Sequence, residues 1–506
     1  MLWVALELPS LPLQIAERAG ASCEPLVISQ GPAQRPLVCC ANEAARAAGI
    51  RKGQAVAAAK ALAGELHVLE RDAVREREAL ERLAAWAGQF TPMVSIEAQG
   101  LVLEVESSLK LFQGHARLTG AIQRGIRDLG FHAALGVAPT PLAARLFARA
   151  EAQGRAVRSC LALEELRERL ADLPLFLLDW PQSTLARLAD LGVLRLRDLL
   201  ELPAEGIARR FGPDIVASLD RLMGRQADPR APYAAPPRFR SRLELPAEAE
   251  GMEALLFPLK RLLAEFEGYL RGRGAGVQSL TLRLDHGHKS RTRLALDFAS
   301  PEREADFIFA IAREKLGRLA LPAATLALEL RAEALQTYVP RAGAWLPGAK
   351  EQAIDCERLV ERLAARLGRD KVFGIALADD HRPERDWAPA YARATTPDCA
   401  GATAVAACGL VPTPGRRPRV GGGPISSPRP TWLLQRPHRL ITQGGNPTLQ
   451  GELDLRAGPE RIEAGWWDGK EVRRDYYVAT NPRGEMFWIY REHRDLDAWY
   501  LHGVFA

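Results

Sequence analysis

Five short apolar runs, LWVAL (2–6), LVI (26–28), PLVCC (36–40), LVLEV (101–105) and AALGVA (133–138), punctuate the first 170 residues, and helical periodicity fills the stretches between them. Runs of that length fit buried strands. The intervening helices are expected at EAARAAG (43–49), VAAAKALAG (56–64) and 71–87; in the last, Ala73, Leu80, Leu83, Ala84 and Ala87 share one face. This alternation makes residues 1–170 a mixed α/β domain, and a chain of 506 residues must continue into others.

Composition narrows the class. The chain is 47% apolar and 26% charged, which fits a folded multidomain protein and excludes wholesale disorder or a collagen-like architecture. Seven cysteines, at 23, 39, 40, 160, 356, 399 and 408, form no CxxC pair; they fit neither a disulfide framework nor a zinc ribbon and point to a reducing, cytoplasmic setting. The opening MLWVALELPSLPLQI lacks a basic n-region, carries Glu7 and is broken by Pro9 and Pro12, so it reads as a buried strand rather than a signal peptide. No apolar run of about 18 residues occurs, which excludes a membrane helix.

From Leu173 the texture becomes helical, with helices expected over 184–190 and 196–200 around the turn 191–193, and a further helix opened by Pro203. The spacing fits a helix-hairpin-helix whose Gly192 turn leaves backbone N–H groups for a DNA phosphate, with an ordinary helical hairpin as the alternative. A Pro-rich connection leads into a second α/β unit over 238–335, with helices over 253–269 and 306–319 and strands at SLTLRL, SRTRLALDF and TLALEL. Residues 341–390 read as mainly helical and 391–425 as a flexible linker. Residues 426–506, dense in aromatics, read as a small β-rich unit. The arginines of 413–450, unopposed by any acid, carry +6, equal to the whole formal excess of the chain, so net charge says little about the folded body.

Three passages taken in order carry a resemblance. In ANEAARAAGIRKGQAVAAAKAL, Glu43, Ala44, Arg46, Gly49, Ile50, Gly53 and Lys60 match a pattern of the Y-family, lesion-bypass DNA polymerases; QFTPMVSIEAQGLVLEVESS follows; and LGVAPTPLAARLFA resembles a third motif, with Gly136, Val137, Ala138, Leu142 and Arg145 in place. The resemblance covers about residues 1–335. It implies palm and fingers over 1–170, a helix-hairpin-helix thumb over 171–230 and an α/β little finger over 238–335.

The chemistry of that family departs here. Two-metal nucleotidyl transfer needs a carboxylate cluster around two Mg²⁺ ions. Active relatives carry Asp-x-Asp in the first strand, which here holds only Glu7, and an adjacent Asp-Glu pair that is reduced here to Glu97 in Ser95-Ile96-Glu97-Ala98. Glu104 stands on the next strand, where relatives carry a structural Asp, and is not counted as a metal ligand. No cofactor is expected, and Mg²⁺ enters only if a weakly active polymerase using Glu7, Glu97 and Glu104 is the correct reading. A palm so depleted, joined to a tail reading GPERIEAGWWDGKEVRRDYYVA and ending WYLHGVFA, resembles the ImuB branch, polymerase-like members of bacterial mutagenesis cassettes. The resemblance implies a non-catalytic, DNA-binding adaptor in damage-induced translesion synthesis. Its partners would be damaged DNA, an ImuA-like accessory protein, the error-prone C-family polymerase ImuC and the sliding clamp, with no membrane. A generic helix-hairpin-helix DNA-binding protein is the remaining alternative.

For DNA, the candidate residues are Gly192, Arg209 and Arg210 in the hairpin region, Arg238, Arg240 and Arg242 entering the second α/β unit, and Arg283, Lys289, Arg291 and Arg293 on its strand pair. Alternation puts Thr281, Arg283 and Asp285 on one strand face and Lys289, Arg291 and Arg293 on one face of the next, suited to a phosphate backbone or simply a solvated sheet face. Trp345 and Leu346 are the clamp-binding candidates, although the required Gln is missing; Asp172-Leu-Pro-Leu-Phe176 has the apolar ending without it and reads as packing. In the tail, Trp466, Trp467, Tyr476, Tyr477 and Trp499 are either the core of the β unit or anchors for a partner. His381, in DDHRPERDW, lacks a second ligand at metal spacing and reads as part of a surface salt-bridge network.

Overall fold

The apolar run at the start forms strand β1 (Trp3–Glu7), buried along its whole length. The chain then turns into helix α1 (Leu11–Glu17), which admits Pro12 because the first helical turn needs no backbone N–H there. The opening segment is therefore half strand and half helix, not the single strand its apolarity indicated. The computed structural model describes the chain except at residues 19, 21–23, 156–158, 289–290, 340–348, 369, 379, 391–427, 494 and 506. It divides into two units, Met1–Gly343 and Ala344–Ala506.

In the first unit a finger-like lobe follows α1: strands β2 (Leu26–Gln30) and β3 (Leu37–Ala41), helices α2 (Glu43–Ala47) and α3 (Val56–Leu62), and strand β4 (His67–Glu70), in sheet order β3-β2-β4. Asn42 caps α2 through its side chain. Next come α4 (Ala73–Ala87), β5 (Val94–Glu97), β6 (Gly100–Glu104), α5 (His115–Asp128), β7 (Ala134–Ala138) and α6 (Pro141–Ala152). The palm sheet runs β5-β6-β1-β7 with every pair antiparallel. Alternation along β1 sends Val4 and Leu6 into the core with α4 and α5, and Trp3 and Ala5 into the core with α6, which puts Glu7 on the α6 side.

Five short helices follow: α7 (Leu166–Leu170), α8 (Gln182–Asp190), α9 (Leu196–Leu200), α10 (Ala204–Phe211) and α11 (Pro213–Leu222). Their Leu188, Leu196, Leu199, Ile207 and Leu219 share one apolar core with Phe147 of α6, so this thumb-like bundle is seated on the palm.

The last part of the unit is built from β8 (Phe239–Ala249), α12 (Met252–Gly272), β9 (Ala275–Asp285), β10 (Thr292–Glu302), α13 (Ala305–Leu316), β11 (Thr325–Ala332) and β12 (Gln336–Thr337). The sheet order is β10-β9-β11-β8, with β12 added to β9. Leu280, Leu282 and Leu284 of β9 and Leu328 and Leu330 of β11 are buried on the face that α12 covers; among the described residues of this unit no helix covers the opposite face. Helix α12 packs on α4 at glycines: Gly272 approaches the Gly88 backbone, Gly268 lies against Trp86, and a buried Arg18–Glu265 ion pair seals the junction.

The second unit begins with α14 (Ala349–Leu367) and a two-stranded ribbon, β13 (Gly374–Leu377) and β14 (Trp387–Ala390), so beyond Leu367 the segment expected to be mainly helical holds only a single 3-10 turn, Pro383–Arg385, among its described residues. Then come β15 (Trp432–Arg439), β16 (Ile441–Gln443), β17 (Asn446–Thr448), β18 (Asp454–Ala464), β19 (Val472–Thr480), β20 (Met486–Glu492) and β21 (Asp495–Val504). The main sheet runs β15-β21-β20-β19-β18 and carries a core on each face. Tyr476, Trp488 and Tyr490 lie on one side, and Tyr477, Ile489, Trp499 and Leu501 on the other. Among the described residues no helix is long and apolar enough to cross a membrane.

Candidate nucleic-acid interface and residual acidic site

Strand register decides which palm acids meet. Glu7 and Glu97 both pair with Gly100, from opposite sides, and so lie in one row across the sheet. Glu104 pairs with Trp3, four residues further along β6 and about 13 Å away, and its carboxylate bonds the Glu106 amide. Glu104 therefore stands apart from the acidic row, in keeping with its not being counted as a metal ligand; only the weakly-active-polymerase alternative, which grouped it with Glu7 and Glu97, is corrected, because a strand of this length puts it at the other end of the sheet.

Helix α6 lays two arginines, one turn apart, over the Glu7–Glu97 row. Arg145 Nη1 lies 3.0 Å from Glu97 Oε2, and Arg149 Nε lies 3.4 Å from Glu7 Oε1. Both also reach Asp179 Oδ2, at 3.0 and 2.8 Å. From the connection ahead of β8, Arg230 bonds Glu97 Oε1 and Asp228 Oδ2, each at 2.6 Å. Burial pushes the Glu7 carboxyl above its usual range against the pull of Arg149 and Arg145, whereas the Arg149 hydrogen bond holds Asp179 below its own. Two hard cations need several free carboxylate oxygens, and here both palm carboxylates are already committed to guanidinium groups. Among the described residues no group of three or more His, Cys, Asp or Glu side chains is placed to hold a metal ion. The residues present do not fit a pair of Mg²⁺ ions.

The open sheet face is rich in arginine. Arg283 and Arg293 are directly opposed across β9 and β10, and Arg240 and Arg242 project on the same side from β8. Arg242 bonds Asp285 at 2.8 Å and Arg291 lies 3.5 Å from the same carboxylate. Arg238 is exposed just ahead of β8, and Lys289 falls outside the described residues. Two residues on this face were missed from sequence: Glu329, opposite both Arg283 and Arg242, and Arg331, opposite Arg240. The alternation of TLALELRA was the signal that could have found them.

At the hairpin, Gly192 takes a positive φ of 75°, as the turn requires. Its amides, however, are spoken for. Gly192 and Val193 donate to Ala189 and Leu188 carbonyls, Leu194 and Arg195 to the Asp198 carboxylate, and Leu196 and Arg197 to Leu173 and Ala171. The expectation of free N–H groups at the Gly192 turn is corrected, because Asp198 occupies the place a phosphate would take. Arg209 and Arg210 are exposed in the last turn of α10.

In the tail, Tyr476, Tyr477 and Trp499 are buried in the two sheet cores and cannot serve as exposed anchors, which corrects their candidacy. Trp466 and Trp467 differ: they are 74% and 53% exposed and meet edge to face at 5.4 Å. The turn that carries them is pinned by Arg382, which is buried and bonds Asp380 at 2.7 Å and Asp468 at 2.8 Å. His381 stands outside this network, which its neighbours build. Trp345 and Leu346 lie outside the described residues.

A palm sheet of this topology, a helical hairpin bundle seated on it, and an α/β unit with an open basic sheet define a Y-family polymerase-like protein with an added β-rich tail. Residues 15–149 match the impB/mucB/samB family. The chain is 26% identical over 497 residues to protein ImuB of Caulobacter vibrioides, covering 90% of this chain and 100% of that one. It is 23% identical over 365 residues to DNA polymerase IV of Desulfatibacillum aliphaticivorans, covering 70% of this chain and 91% of the other. Among solved structures, DinB from Sulfolobus solfataricus matches 65% of this chain and 98% of its own at 17% identity and a TM-score of 0.38. The ImuB likeness spans palm and tail alike, so the chain is similar to ImuB over 90% of its length, while the impB/mucB/samB match falls within its palm and finger-like region.

Proposed function

We propose that this chain is a non-catalytic polymerase homologue that binds DNA and serves as an adaptor in damage-induced translesion synthesis. The observation that carries this reading is the engagement of Glu97 by Arg145 and Arg230, and of Glu7 by Arg149, where a polymerase of this architecture would need open carboxylates. The open arginine face of β8–β11 supplies contacts to a phosphate backbone without reading bases. The exposed Trp466–Trp467 pair supports a docking role for the tail. Under this reading the partners are those of a mutagenesis cassette: an ImuA-like accessory protein, an error-prone C-family polymerase of the ImuC type and the sliding clamp, at damaged DNA.

Primer extension by the purified chain with Mg²⁺ or Mn²⁺ tests the first half. No extension is expected; extension abolished by Glu97→Ala overturns the non-catalytic reading. Deletion of residues 426–506 in cells tests the second, with loss of damage-induced mutagenesis expected and unchanged mutagenesis pointing to a generic DNA-binding protein.

A further inference from the structure

Each strand of the open sheet contributes one arginine to a line that crosses all four. Arg293 of β10 opposes Arg283 of β9, and Arg331 of β11, next to Arg283 along the diagonal, opposes Arg240 of β8. At about 4.8 Å per strand the line spans roughly 14 Å. Beneath it sits Glu329, whose side chain is only 5% exposed although it belongs to the uncovered face. Its Oε1 accepts from Arg240 Nε at 2.5 Å and Arg331 Nη2 at 2.9 Å, and its Oε2 lies 4.0 Å from Arg283 Nη1.

A carboxylate is expensive to bury, and one surrounded by three guanidinium groups leaves two positive charges uncompensated. Arg293 adds another, since it makes no ion pair among the described residues. Arg283 Nε and Arg331 Nε also find no acceptor. Without Glu329 the three guanidinium groups would repel one another and spread apart. With it they stand together as a cationic line whose charge exceeds what the protein neutralises, and a polyanion of regular charge spacing would complete it.

We propose that Glu329 is a positioning residue that gathers Arg240, Arg283 and Arg331, together with Arg293, into one phosphodiester-binding track running across the strands. This rests on the DNA-binding reading above and deepens it. At about 3.4 Å of axis per phosphate on one strand, the track is long enough for on the order of four phosphates.

The direction of the Glu329 effect is the test. An acid that merely dilutes a basic face weakens binding, so its removal would tighten binding and steepen the salt dependence. A positioning acid does the reverse. The full chain should be titrated against a fluorescent 40-mer, duplex and single strand, over a salt series. For Glu329→Gln the expected result is binding weakened by about tenfold, with the slope of log K against log salt shallower by about 1 to 2. Glu329→Asp keeps the charge but withdraws the carboxylate by one methylene; intermediate weakening is expected, and this variant decides the matter if Glu329→Gln fails to fold. Unchanged or tighter binding by the variant that folds overturns the proposal, while weakening by Arg293→Ala in the same series shows that the DNA-binding reading survives. Absence of binding by the unaltered chain overturns both. The more strongly bound probe, duplex or single strand, identifies the form of the backbone that the track accepts.

Discussion

Arg145 Nη1 stands 3.0 Å from Glu97 Oε2, while Arg230 holds the other oxygen of the same carboxylate at 2.6 Å. One side chain thus joins strand β5 of the palm, helix α6 beneath the thumb-like bundle, and the connection that leads to the open sheet. The same connection also runs along β5, with Tyr233 N donating to Val94 O and Ser95 Oγ to Ala231 O. In a catalytic palm these acids would neutralise metal ions that come and go with nucleotide. Here arginines of the chain itself pair with these acids, and the pairs hold parts of the structure together.

Removing Arg149 should therefore be costly in a pH-dependent way. Glu7 is 4% exposed, and Arg149→Ala would leave it buried beside no bonded cation, which costs about 3 kcal/mol for a pair broken on one side. Burial already raises the Glu7 carboxyl, and loss of Arg149 raises it further. A protonated Glu7 needs no counter-charge, so the deficit should shrink as pH falls from 8 towards 5. Urea unfolding of the two proteins across that range checks it; an equal deficit at both ends would place the Arg149 contribution in packing and its bonds to Asp179 and Leu177, not in its pair with Glu7.

A pair of glycine substitutions separates close packing from chain flexibility. Gly136 of β7 lies under α6, and a Cβ there would come within 2.1 Å of Ala144 O and 2.4 Å of Ala148 N. Backbone cannot yield as a side-chain tip can, so Gly136→Ala should cost about 2–3 kcal/mol or more. Gly206, inside α10, has no atom within 4 Å of its ideal Cβ position, and Gly206→Ala should stabilise by about 0.5–1 kcal/mol. Thermal melts of the two variants should move in opposite directions.

These contrasts mark where sequence reading stops. The α/β alternation, the amphipathic face of α4 and the helices around Gly192 were legible because each rests on local periodicity. That Glu104 stands apart from Glu7 and Glu97 could be read only as a resemblance, because register is a relation between strands; the pairing of Trp3 with Glu104 shows that it lies at the far end of β6. The Asp198 capture of the Leu194 and Arg195 amides follows from a spacing visible in the sequence, yet nothing local says whether such a cap or a ligand will win. The tail aromatics were ambiguous for a different reason. Tyr476 and Tyr477 are adjacent and both buried, because β19 lies inside a sheet covered on both faces, so the polar alternation that identifies an outward residue is absent.

Trp466 and Trp467 are expected to matter for partners and not for folding. Both project into solvent from a turn held by Arg382 and Asp468, so replacing the pair by Ala should change stability by less than about 1 kcal/mol. Trp488, stacked on Tyr476 at 3.9 Å in the sheet core, should cost about 3–5 kcal/mol when truncated to Ala. Co-purification of the full chain with candidate C-family polymerase and accessory proteins supplies the second readout. The docking assignment fails if the folded Trp466/Trp467 double variant captures them as well as the unaltered chain does.

His502 should make the stability of the tail sheet fall between pH 6.5 and about 4. It is 1% exposed, its Nδ1 lies 2.7 Å from the Tyr476 hydroxyl, and it is surrounded by Trp488, Tyr490, Arg474 and Glu384. Burial is the main cause that drives its pKa from the usual 6.5 down to about 4, and Arg474 adds to it against the opposing pull of Glu384, 3.9 Å away. Between those two values the unfolded chain binds a proton that the folded one refuses, so stability rises with pH through the window and is lost as pH falls through it, by about 3 kcal/mol in total. The aspartates held low by arginine behave differently: Asp468, lowered to about 2 chiefly by its hydrogen bond with Arg382, loses its contribution only as pH drops from its usual 3.8 towards that value. The two windows therefore separate. His502→Gln keeps a polar group near Tyr476 but cannot take up the proton, so it should flatten the melting profile of the second unit above pH 4 and leave the steeper loss below it; an unchanged slope between pH 4 and 6.5 would assign that loss to some other group.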